Sequence, residues 1–171
     1  MILGMSLSAF TTLHVIISLV ALAAGFVVMY GMVAGRRLAG WTATFLVTII
    51  LTSVTGFMFP LTVIGPPHIF GAVSLVALAF ALYALYARRL AGHWRLVYVG
   101  GALLAHYLNV VVTIVQAFGK IGVLQQLAPS QTEAPFLLAQ LFFLLLVAAA
   151  GFLAVRRFHP EPPVLEAALK G

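Results

Sequence analysis

The sequence predicts an all-α membrane protein: a bundle of five transmembrane helices, N-terminus outside and C-terminus cytoplasmic. Three observations carry that prediction. Of 171 residues, 64% are apolar and 7% charged, where a soluble domain carries about 25% charged. The apolar residues fall into five runs, each near the ~20 residues that a helix needs to cross a ~30 Å hydrocarbon core. The basic residues concentrate on alternate links between those runs, which is a topology signal. Alternating segments of ~10 residues, the signature of membrane strands, are absent. Backbone groups in lipid must pair within their own element, so the runs read as helices.

The first span covers about 9–34 and carries His14 and Ser18. The second covers 41–64, with Thr48, Thr52 and Thr55 at helical spacing. The third covers 68–86, with His68 behind Pro66-Pro67 and Ser74 inside it. The fourth covers 94–118 and holds His106, Asn109, Thr113 and Gln116. The fifth covers 135–155, with Gln140 alone inside it. Residues 1–157 thus form one domain, and 158–171 form a cytoplasmic tail with three prolines. The long outer link, Gly119 to Ala134, contains Ile121, Val123, Leu124 and Leu127, which suit a brief amphipathic turn on the membrane surface.

Orientation follows from the basic residues. Arg36, Arg37, Arg88, Arg89, Arg95, Arg156, Arg157 and Lys170 fall on one side and Lys120 alone on the other. The richer side is the cytoplasm. The net charge of +6 therefore reads as topology rather than as a nucleic-acid footprint. Cysteine is absent, which removes disulfide and thiolate chemistry. Arg36-Arg37-Leu38-Ala39-Gly40-Trp41 is echoed by Arg88-Arg89-Leu90-Ala91-Gly92-His93-Trp94. The echo suggests either a duplicated hairpin or two short turns that converged on the same residue types.

Leu13-His14-Val15-Ile16-Ile17-Ser18-Leu19, Leu51-Thr52-Ser53-Val54-Thr55-Gly56-Phe57 and Tyr107-Leu108-Asn109-Val110-Val111-Val112 form distinctive runs, as does Gln116-Ala117-Phe118 followed by Lys120. On these the chain resembles, over roughly 9–157, a group of small uncharacterised bacterial multi-pass inner-membrane proteins. The resemblance implies a bacterial inner membrane and several spans. It implies no activity and transfers no site residue.

Uncharged polar groups inside the spans are the functional candidates. At ~1.5 Å per residue, His14 lies ~33 Å from Arg36 and His68 ~30 Å from Arg88. The two share a depth near the outer face, and could ligate a haem b between helices. His106 lies ~16 Å from Arg95, close to the midplane. Asn109, Thr113 and Gln116 share one helix face. They are either interhelical packing contacts or the lining of a polar cavity for a quinone head group, a lipid or a small solute. No Asp occurs, and Glu133, Glu161 and Glu166 lie outside the spans. Serine-triad, zinc-protease and carboxylate proton-relay chemistry are therefore set aside, and the chain is read as not an enzyme. Three functions remain. The first is an accessory, assembly or scaffold subunit of a larger membrane complex. The second is a haem- or quinone-binding electron-transfer component. The third is a small-solute transporter acting as an oligomer. The expected partners are the lipid bilayer, other membrane subunits or a second copy, and not nucleic acid.

Overall fold

A computed structural model describes residues 2–59 and 65–160, and these are all-helical apart from turns and one isolated bridge, Ile2–Met5. The helices are α1 (Leu7–Val33), α2 (Ala39–Phe57), α3 (Pro66–Leu82, continued by a π-turn over Tyr83–Ala87), α4 (Trp94–Lys120), α5 (Gly122–Leu127) and α6 (Ala134–Arg157). Five of them, all but α5, are long and apolar enough to cross a membrane. They match the five expected spans to within a few residues, except at the end of span two. There helix α2 stops at Phe57, because Phe59 precedes Pro60 and a residue before proline is pushed out of helical conformation. The rest of that expected span, 60–64, lies outside the described residues, as does the tail from 161.

Local chemistry sets the helix starts. Ser6 caps α1 by accepting from the Ala9 amide at 3.2 Å, which satisfies one of the free amides of a first turn. Pro66 opens α3 and Pro135 stands in the first turn of α6, where a missing N–H costs nothing. The two Arg-Arg-Leu-Ala-Gly stretches fold differently. In the first, Ala39 and Gly40 already belong to α2. In the second, Arg89, Leu90 and Gly92 take positive φ of 47°, 60° and 55°, and the helix starts only at Trp94. The sequence echo is therefore not a repeat of conformation.

Helix α1 packs chiefly on α2, and α3 on α4, so the chain makes two hairpins. Helices α2 and α3 join them, and α6 rests on α4 and α1. Small residues let the backbones approach: Ala21, Ala24, Ala81, Ala84 and Ala105 are fully buried. A methyl at Gly101 would come within 2.6 Å of the Ala77 carbonyl oxygen. Close backbone approach of this kind is how helices associate in lipid, where no hydrophobic driving force acts between them. Helix α6 is the most peripheral, with Leu138, Leu145 and Phe152 facing outward. Arg95 on α4 anchors its end, its Nη1 donating to the carbonyls of Val155 (2.7 Å) and Phe158 (2.9 Å).

Candidate functional site

Toward the end of the bundle opposite the arginines, α1, α2, α3 and α4 leave a cavity of about 90 Å³. Its lining includes His14, Thr52, Ser53, His68, Ser74 and Asn109. The histidines predicted to share a depth thus line one space, brought together from α1 and α3. Glycines 56 and 71 keep two of the walls low, and a methyl at Gly71 would meet the Phe57 ring at 3.1 Å. Phe59 packs edge-on against His14 (centroids 5.2 Å apart) and Phe57 lies beside His68 (6.0 Å).

The hydrogen bonds favour opposite tautomers for the two imidazoles. The Thr55 hydroxyl has one proton, and it lies 2.6 Å from the Leu51 carbonyl and 3.3 Å from that of Thr52. A carbonyl only accepts, so the shorter bond to the helix backbone uses that proton. With the proton there, His14 Nδ1, 2.7 Å from the same hydroxyl oxygen, is the N–H that donates to it. In the neutral ring this leaves Nε2 with a lone pair. His68 is reversed: its Nδ1 accepts from the Gly65 amide at 3.2 Å, so its Nε2 carries the hydrogen. In this arrangement one cavity offers an imidazole acceptor and an imidazole donor, and among the described residues of its lining there is no carboxylate, lysine or arginine.

The stripe of Asn109, Thr113 and Gln116 is divided by depth and neighbours. Asn109 is buried, lines the cavity, and donates through Nδ2 to the Ser18 carbonyl on α1 at 3.3 Å. Thr113 returns its hydroxyl to the Asn109 carbonyl at 2.7 Å and lines a separate apolar groove of about 270 Å³ among α1, α4, α5 and α6. Gln116 is exposed and lines neither space. Thr52 Oγ1 is buried without a hydrogen-bond partner at the cavity wall.

Below the cavity the bundle closes on His106. Its ring is 1% exposed and both ring nitrogens lack a hydrogen-bond partner. Phe26 stands perpendicular to it at 4.6 Å and Phe45 at 6.0 Å. Gly25 forms the remaining wall, and a methyl there would fall 2.1 Å from Nδ1. Sequence reasoning set His106 deeper along its helix than His14 and His68 but missed this partner. The available signal was Gly25, a glycine in the middle of a long span. Among the described residues no group of three or more His, Cys, Asp or Glu could hold a metal ion.

No known protein family matches the chain, and neither curated proteins nor solved structures include a detectable relative.

Proposed function

We propose that this chain is a non-enzymatic accessory component of a bacterial cytoplasmic-membrane complex, N-terminus outside and C-terminus inside, whose own ligand site is the His14–His68 cavity. The ligand class is the head group of a neutral quinone or quinol. The observation that carries this reading is the opposite polarity of the two imidazoles in one uncharged space. A quinone carbonyl accepts from His68 Nε2–H, and a quinol hydroxyl donates to His14 Nε2. Asn109 supports the wall through its bond to α1. An ionised ligand finds no counter-charge among the described residues of the lining, so a neutral one is favoured.

Haem b fits the pair less well. The cavity of about 90 Å³ is a closer match to a single ring than to a haem macrocycle. A ligating histidine also donates its second nitrogen outward. His14 does so, but His68 accepts at that atom. A transporter reading loses support because the Phe26–His106–Phe45 layer closes the bundle beneath the cavity.

The test is calorimetric titration of the detergent-solubilised protein with a short-tailed ubiquinone analogue. Binding is expected to fall about 10-fold in His14→Ala or His68→Ala, the loss expected when a buried hydrogen bond goes unmade. Gln116→Ala is expected to bind as the parent does. Absence of binding, or equal binding by all variants, would refute the site; a Soret band on the purified protein would restore haem. The accessory role is tested by mild solubilisation of native membranes, where a chain that migrates strictly alone contradicts it.

A further inference from the structure

The opposite end of the bundle carries a second, unrelated feature. Gly35 takes φ of 71° at the α1–α2 turn, and its backbone lies so close to the end of α6 that a methyl on it would come within 2.9 Å of the Arg157 carbonyl oxygen. That contact sets the turn carrying Arg36 and Arg37 against the end of α6 that carries Arg157, and all three arginines are exposed. Arg95 reaches the same helix end through its bonds to Val155 and Phe158. Three separate segments therefore bring four arginines to one corner of the bundle. Two other arginines are held elsewhere, Arg88 over the Trp94 ring (5.1 Å) and Arg156 over Phe152 (4.1 Å).

Among the described residues the lone carboxylate is Glu133, in the link at the far end of the bundle, where it bonds Ser130. The arginine corner thus gathers positive charge with no described acid beside it. Tyr30 and Trp41, from α1 and α2, are 69% and 50% exposed near this turn. Exposed Tyr and Trp mark head-group depth in a bilayer, so the arginines lie where lipid phosphates are. Arginine forks match phosphate oxygens two at a time.

We propose that the corner formed by Arg36, Arg37, Arg95 and Arg157 binds the phosphate of an anionic phospholipid, with its chains along the exposed apolar faces of α1 and α6. Arg95 links occupancy to architecture, because it also ends α6. A lipid phosphate there reinforces the hold of α4 on α6. The proposal does not depend on the histidine cavity.

The test reconstitutes the full chain in nanodiscs of phosphatidylcholine, with or without cardiolipin or phosphatidylglycerol, and measures lipid retention by native mass spectrometry and thermal unfolding. Wild type is expected to retain the anionic lipid and unfold at a higher temperature with it. Affinity is expected to drop about 5-fold per arginine removed, of order 100-fold in Arg36→Gln/Arg37→Gln/Arg157→Gln. The corresponding triple Lys variant keeps the charge and is expected to stay within a few-fold of wild type; it also controls for folding. Lys120→Gln at the other end should change nothing. Inorganic phosphate is the competing soluble source, and full displacement of the lipid effect by phosphate would overturn the lipid assignment. Equal retention by the triple Gln variant, or equal stabilisation by phosphatidylcholine alone, would overturn the site.

Discussion

Replacing Gly25 by alanine probes the centre of the bundle with a single methyl. That methyl would sit 2.1 Å from His106 Nδ1, 2.6 Å from Cε1 and 2.9 Å from Cγ. Comfortable heavy-atom contact needs about 3.5–4 Å, so α1 and α4 must part or the ring must leave. The ring has little room to leave, because Phe26 and Phe45 hold its other sides. Overpacking a filled core costs about 1–3 kcal/mol, or roughly 2–12 °C in melting temperature for a chain of this length. Thermal unfolding in one detergent is the assay. His106→Ala alone opens a void but also removes two orphaned buried nitrogens, so the two effects partly offset. In the double variant the methyl occupies space that the ring vacated. The double-mutant cycle is therefore expected to show at least ~1 kcal/mol of favourable coupling. Parent-like melting of Gly25→Ala, or strict additivity of the two changes, would refute the notch.

Other consequences are equally direct. Arg95→Gln removes two bonds to the end of α6, each worth about 1–2 kcal/mol at most so near water; hydrogen exchange is expected to rise over 152–158 and stay unchanged in α2. The Ser130 hydroxyl, followed by backbone amides, holds the Glu133 carboxyl below its ordinary range. A carboxyl lowered in the folded state stabilises above the unfolded value of ~4.3, and that contribution is lost as pH falls through the folded value. Protection against exchange in the 128–134 link, taken relative to the intrinsic rate at each pH, is thus expected to fall on acidification below about pH 4, and Glu133→Gln should abolish that dependence. The chain has no cysteine, so Gln126→Cys and Ala91→Cys report orientation cleanly. An impermeant maleimide is expected to label the first in intact cells and the second only after lysis; the reverse pattern would invert the topology.

The architecture was largely legible because lipid allows few solutions. Apolar runs of span length, bounded by Pro66, Pro135 and the arginine turns, fall close to the helix limits. A short helix, α5, stands where a brief turn around Val123 and Leu124 was expected. What the sequence left open depends on which helix faces which. Asn109 and Gln116 share a helix face, yet one meets α1 and the other is exposed, because depth along the helix decides whether a neighbour is present. The role of Arg95 at the end of α6 lies 60 residues away in sequence, beyond any local pattern. The seat of His106 against Gly25 is likewise beyond any local pattern. The shared depth of His14 and His68 was readable from helical rise alone. Their opposite tautomers were not, since these rest on Thr55 and on the Gly65 amide.

Those tautomers can be observed directly by ¹⁵N NMR of histidine-labelled protein in micelles, with resonances assigned by removing each histidine in turn. His14 is expected to carry its hydrogen on Nδ1 and His68 on Nε2. A short-tailed quinol should then shift both Nε2 signals and leave His106 unmoved. Identical tautomers at the two positions, or a quinol titration that moves neither, would contradict the donor–acceptor cavity on which the proposed function rests.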